Sequence, residues 1–289
     1  MRKLVVNNKY NNKKLNNFIL DNFKNLKQST LFKALRQKDI RINGVRTSEN
    51  KIIHTGDEIS IYISDELLLG ETIFNPEIIF EDENILVVFK PKNISITEDT
   101  YQEPTLTKLL KEKFGNNIEP CHRLDRNTSG LVLYAKNETS KNILLEKFKN
   151  KEINKFYKAT VYGIPKEKHQ ILKAYLFKDN KKSLVYISDT PKKGYLEIIT
   201  EYTLISSNEK NNTSILDINL HTGRTHQIRA HLAHIGLPII GDGKYGINDV
   251  NKKFGLKSQE LSSYKLIFNF KSDSGILNYL NGKCIKKEQ

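Results

Sequence analysis

Three successive stretches of this 289-residue chain, LVYIS (184–188), LEIITEYTLIS (196–206) and SILDINLHT (214–222), alternate apolar and polar residues with the period of a strand. They continue a series in which strand-like and helix-like segments are mixed. EIIFEDENILVVFKP (77–91) reads as strand, turn and strand, with Lys90-Pro91 ending it, and PTLTKLLKEKF (104–114) as a helix. SGLVLYAK (129–136) is a strand and ETSKNILLEKFKN (138–150) an amphipathic helix. KFYKATVYGIP (155–165) is a further strand, on which Tyr157, Ala159 and Val161 share one face. This mixture constrains the fold to α+β, a mixed, largely antiparallel sheet flanked by helices. The last residues, GKCIKKEQ (282–289), read as a frayed basic tail.

A smaller unit precedes that domain. Leu15, Phe18, Ile19, Phe23 and Leu26 recur at spacings of three and four, predicting an amphipathic helix over 13–27. Ser29 reads as the N-cap of a second, short helix. Asn43-Gly44 is a hairpin turn between Ile40, Ile42 and Val45, and Ile59, Ile61 and Ile63 alternate as a closing strand. The expected organisation is an ααβ module over 1–64, a linker over 65–76 and a second domain over 77–289. Charge divides unevenly between them. Residues 1–64 hold 13 Lys and Arg against 5 Asp and Glu, an excess of eight out of the chain's +14. A basic leading module implies a polyanionic partner. Lys33, Arg36 and Lys38 on its second helix, with Arg41 and Arg46 on its hairpin, suit contacts to phosphate.

Several function classes find no support. The two Cys, 121 and 284, form no CxxC pair, which argues against a disulfide framework or zinc knuckle. His221, His226, His231 and His234 cluster without a ligand-spaced carboxylate, so they read as polar residues lining an RNA-facing helix rather than a metal site. No Gly-rich phosphate loop appears. No apolar h-region or membrane-length apolar run is present, so a cytoplasmic protein is expected.

Two stretches could carry chemistry. In EPCHRLDRNTSGLVLYAK (119–136), Asp125 sits in a turn with Thr128, Ser129 and Gly130 just ahead of an apolar strand. A carboxylate held by turn hydroxyls and backbone N–H groups stays ionised, and serves either as a structural cap or as a nucleophile at a strand end. In LHTGRTHQIRAHLAHIGLPIIGD (220–242), Thr225 is a plausible N-cap, Ile228, Leu232 and Ile235 form a stripe, and Gly236 stops the helix. Arg224 at its entrance and Arg229 in its second turn are either a phosphate or carboxylate site or solvated surface groups.

HRLDRNTSGLVLYAK, KFYKATVYG and TGRTHQIRAHLAHIGLPIIGDGKYG, in that order, resemble the RluA-type pseudouridine synthases, and EDENILVVFKP resembles the strand opening their catalytic domain. LRQKDIRINGVR and GDEISIYI are similar to the alpha-L RNA-binding domain shared with a small-subunit ribosomal protein. The resemblance implies an enzyme converting uridine in RNA to pseudouridine without metal or organic cofactor. Asp125 would act at the ribose anomeric carbon, by a covalent sugar adduct or by removing a ribose proton to give a glycal. Tyr157 would stack on the extruded base and assist proton removal at carbon 5, at an extrusion cost of about a few kcal/mol. Arg229 would pair with Asp125, and Arg123 would fill the gap the flipped base leaves. Arg224 and His122 would be RNA contacts or supports behind the site. Large-subunit ribosomal RNA is the expected substrate and a monomer the expected state, although transfer-RNA substrates occur in the wider family. After Lys90-Pro91 the chain reads KNISITED where relatives commonly carry Gly-Leu and His-Pro, a departure that bears on substrate placement. Two other classes compete: a non-catalytic RNA-binding or ribosome assembly factor, and a hydrolase, which would lack a second placed carboxylate.

Overall fold

The computed structural model describes residues 2–63, 67–68, 76–97 and 105–287. It divides into two compact units, Met1–Asn75 and Pro76–Gln289. The linker expected over 65–76 lies almost wholly outside the described residues, as do the ends of KNISITED and of the basic tail.

In the first unit, α1 (Leu15–Asn22) and α2 (Gln28–Arg36) pack on an antiparallel sheet. Its order is β1 (Arg2–Val5), β6 (Glu58–Ile61), β3 (Ile40–Ile42) and β4 (Val45–Thr47). The short β2 (Lys13–Lys14) and β5 (Ile52–Ile53) pair separately. Leu15, Phe18, Ile19, Leu31, Leu35, Ile59 and Ile61 form the core. The hairpin turns at Asn43 and Gly44, both at positive φ (50° and 80°), the requirement of a type I′ turn. Helix α1 stops short of the expected residue 27. Asn22 turns its side-chain amide onto the Phe18 carbonyl, competing with the helical ladder, and Phe23 and Leu26 are buried in the turn that follows. Ser29 is not a cap, since α2 begins at Gln28 after an extended Lys27. Strand β1 was not foreseen, because its edge position buries too little for an apolar pattern.

In the second unit an 11-stranded sheet carries helices α3 (Leu106–Phe114), α4 (Glu138–Lys149), α5 (Gln227–His234) and α6 (Asn248–Lys253). In chain order its strands are β7 (Glu77–Glu81), β8 (Ile85–Lys90), β9 (Glu119–Pro120), β10 (Ser129–Ala135), β11 (Ile153–Tyr162), β12 (His169–Asp179), β13 (Leu184–Ser188), β14 (Leu196–Asn208), β15 (Thr213–Leu220), β16 (Leu261–Phe268) and β17 (Cys284–Lys286). The spatial path runs β13-β12-β14-β15-β11-β16-β10-β8-β7, with β9 on β10 and β17 on β16. Among the described residues only the β10–β16 contact is parallel, and it spans just Ser129↔Ser262 and Gly130↔Ser263. The sheet is therefore mixed and largely antiparallel. The predicted tail is partly ordered: Cys284–Lys286 pairs with β16 and buries Ile285. The part of KNISITED that is described docks on α3, where the Ser95 and Ile96 carbonyls accept from the Leu106 and Thr107 N–H groups. Among the described residues no helix is long and apolar enough to cross a membrane.

Candidate active site

Strand register gathers the site. Gly130, at the start of β10, lies opposite Ser263 of β16, and Ser263 in turn lies opposite Tyr157 of β11. Two strand spacings of about 4.8 Å thus separate the turn carrying Asp125 from the tyrosine strand. The close β10–β16 approach depends on Gly130, whose φ is +127° and whose Cβ would fall 2.2 Å from the Ser263 carbonyl oxygen. A register shift between Phe156 and Tyr157 re-aims the tyrosine, the usual effect of a bulge beside a site.

The turn itself is pinned from behind. The Thr128 N–H donates to the Asp125 carbonyl (3.0 Å), and the Gln259 amide donates to the Thr128 hydroxyl (3.2 Å). The buried Lys90 ammonium donates to the carbonyls of Pro91, Ile94 and Arg126, each at 2.9 Å. The charged partner of Asp125 comes from another element. That partner is Arg229 on α5, whose Nη1 donates to Asp125 Oδ2 at 2.8 Å.

Arg229 is itself locked. Its Nε and Nη2 donate to the two oxygens of Asp242 at 2.7 and 2.9 Å, a bidentate pair with a fully buried carboxylate. Burial opposes the Arg229 charge, but the bonds and charges of Asp242 and Asp125 outweigh it and raise its pKa. Asp242 is lowered on balance: burial pushes it up, Arg229 and the Lys244 and Tyr245 N–H groups pull it down further. Sequence reading missed Asp242, because a carboxylate between two glycines in IIGDGKYG looks like turn punctuation. It missed Lys90 as well, which carried only a strand-ending role.

These groups open onto a cavity of about 250 Å³ lined by Arg123, Asp125, Lys155, Tyr157, Arg224, His226 and Arg229, among others. Tyr157 is buried, and that burial, with the Asp125 charge second, pushes its phenol well up. Arg123 and Arg224 are exposed at the cavity. His122 reaches the cavity too, but not as a cation. Its Nε2 accepts from the Leu133 N–H (3.1 Å), and burial followed by the Lys155 charge lowers its pKa to about 3. The ring is thus tied to the backbone of β10, as a support behind the site would be.

The segment before α5 also differs from expectation. Thr225 does not cap the helix; His226 holds that position in the left-handed conformation (φ +55°), without a side-chain cap. Gln227 organises the loop instead, its carbonyl oxygen accepting from the Thr222 hydroxyl and the Arg224 N–H. Nor do the four histidines line a common RNA-facing surface. His231 is buried against the Thr200 hydroxyl, His221 lies on Glu201 and His234 on Asp189. Arg36, Lys33, Lys38 and Arg46 are exposed on the first unit, and Arg41, half-buried, stacks over Tyr62 at 4.8 Å. Arg41 and Arg46 face each other across the hairpin, a like-charge pairing that costs stability when no anion is bound.

Residues 84–234 match the family described as RNA pseudouridylate synthase. The chain is 33% identical to a ribosomal large subunit pseudouridine synthase C of Rickettsia bellii, over 76% of this chain and 78% of that one. It is 30% identical to a mitochondrial tRNA pseudouridine(32) synthase of Saccharomyces cerevisiae, over 84% of this chain and 52% of that one. Among solved structures, human RNA pseudouridylate synthase domain containing 1 superposes with a TM-score of 0.59 at 23% identity, covering 69% of this chain and 80% of that one, a likeness of fold.

Proposed function

This chain belongs to the RNA pseudouridylate synthase family, and we propose that the uridine it isomerises lies in large-subunit ribosomal RNA and that Asp125 is the reacting carboxylate. It is an RNA pseudouridine synthase, so the reaction breaks the C1′–N1 bond of a uridine and rejoins the base through carbon 5. The carbon 5 proton is lost and N1 gains one. The observation that carries the Asp125 reading is the 2.8 Å contact to an arginine already fixed by a second, buried carboxylate. Asp242 takes the larger share of the Arg229 charge, so Asp125 is oriented without being neutralised. Both routes at C1′, adduct and glycal, require that ionised state.

Tyr157 supplies a flat apolar ring at the cavity and, held as a neutral phenol, stacks on the extruded uracil. Arg123 and Arg224, exposed beside it, face the RNA backbone and the gap left by the base. The leading unit, read as an alpha-L RNA-binding domain, adds phosphate contacts through Lys33, Arg36, Lys38, Arg41 and Arg46. The ribosomal substrate is supported by that basic unit and by the name of the Rickettsia relative; the yeast relative makes transfer RNA the competitor. Tritium release from 5-tritiated uridine separates them. Release from large-subunit ribosomal transcripts is expected; release from transfer RNA alone would overturn the substrate.

A further inference from the structure

One cavity group has no part in the reading above. His226 adopts a left-handed backbone (φ +55°) that costs a residue with a Cβ about 1 kcal/mol or more. The conformation turns its imidazole into the cavity, where the side chain stays 14% exposed. The Tyr245 hydroxyl oxygen accepts from the Val185 N–H at 2.9 Å and lies 2.9 Å from His226 Nδ1, and we assign its own hydrogen to that second bond. Nδ1 is then the acceptor, and a neutral ring carries its proton on Nε2. Burial, ahead of the nearby charges, lowers the His226 pKa to about 4, so the ring is neutral at ordinary pH.

That Nε2–H points toward the reacting carboxylate without bonding it. Nε2 lies 3.9 Å from Asp125 Oδ2, beyond hydrogen-bond range, while Arg229 occupies the same oxygen at 2.8 Å. A neutral donor is thus held beside the bond-breaking position with its hydrogen uncommitted to the carboxylate. An imidazolium there would compete with Arg229 for Asp125; a neutral imidazole does not, yet still stabilises developing negative charge.

We propose that His226 is a catalytic residue whose Nε2–H donates to a carbonyl oxygen of the target uracil and stabilises the charge the base acquires as C1′–N1 breaks. The bonding pair passes to the base and spreads over N1 and the carbonyl oxygens. His226 keeps its proton throughout. Meanwhile Asp125 either bonds C1′ or takes the C2′ proton. The pair on the base then forms the C5–C1′ bond as the Asp125–C1′ bond breaks or the C2′ proton returns. The C5 proton leaves to solvent, and N1 takes a proton from water. The inference rests on the reading of Asp125 as the group acting at C1′. Tyr245 is the positioning residue that fixes which nitrogen donates.

The test compares RNA carrying uridine with RNA carrying 5-fluorouridine at the target, with single-turnover consumption of that nucleoside as the readout. Fluorine withdraws electron density, so the departing base needs less help. His226→Leu is expected to slow consumption of uridine by about 100-fold, the usual loss of one such donor, with RNA affinity unchanged. On 5-fluorouridine the loss should shrink to about 10-fold or less. His226→Gln, which keeps an N–H at similar reach, should retain most activity on uridine. Equal losses on both bases for Leu and Gln would make His226 merely structural and overturn the proposal. Should His226→Leu fail to fold, Tyr245→Phe decides by the same comparison, a larger loss on uridine supporting and equal losses refuting. Asp125→Asn in the same assay keeps the two readings apart. Wild-type consumption by that variant would sink the Asp125 reading, whereas a dead Asp125→Asn beside base-independent His226 losses would sink only this one.

Discussion

Arg229 holds two carboxylates with one charge, and the division sets what each can do. Its Nε and Nη2 serve Asp242, leaving Nη1 for Asp125. Arg229→Met therefore strands a fully buried carboxylate and should cost about 3–5 kcal/mol in urea unfolding, together with turnover. Asp242→Asn should lower stability in the same range and slow turnover while RNA affinity holds, because Arg229 then leans fully on Asp125. A variant indistinguishable from wild type in both measurements would contradict the shared-charge account. Sequence alone left Asp125 as cap or nucleophile and Arg229 as site or surface. The pairing across 104 residues came only through family resemblance, and Asp242 stayed invisible, since no local pattern marks a carboxylate whose partner stands 13 residues away on a helix.

The turn, strands and helix that carry these residues meet where β10 touches β16. Gly130→Ala would drive a methyl into the Ser263 backbone at a φ of +127°, so this contact must open. Thermal melting should show a drop well beyond that of an ordinary surface Gly→Ala change, with activity lost even where fold survives; an unchanged Tm would mean that the crossing is loose. Elements with a full alternating or helical period were legible: β10, β11, β14, β15 and α4 fall near their expected places. Two long strands were missed, β12 with eleven residues, many of them exposed, and the central β16, whose LSSYKLIF opens without apolar alternation; the other misses are short. Strand β17 has three residues, α6 has six, and α1 ends early where the Asn22 side chain competes for the Phe18 carbonyl. The parallel β10–β16 contact is a tertiary fact with no local signal.

At the scale of the whole molecule, charge and protonation set behaviour. If the excess of eight positive charges in residues 1–64 serves phosphate, Lys33, Arg36 and Arg46 changed together to Gln should weaken RNA binding. The log–log salt slope should then fall by about 2, at about 0.7 per lost contact on a single strand. An unchanged slope would leave the excess compositional. Stability should also fall in mild acid. Burial is the leading cause that lowers His122 to about 3 and His226 and His231 to about 4, so the folded state refuses protons the unfolded chain accepts. Below an unfolded pKa near 6.5, each refused proton costs about 1.4 kcal/mol per pH unit, until the pH reaches the folded value. Urea midpoints should therefore drop steeply between about pH 6.5 and 4.5, and a flat profile there would mean these rings are not buried neutral. The central claim, that Asp125 carries the isomerisation, is tested most directly by single-turnover tritium release from 5-tritiated uridine in target RNA. Asp125→Asn should release none while binding that RNA as wild type does; release at the wild-type rate would contradict the account.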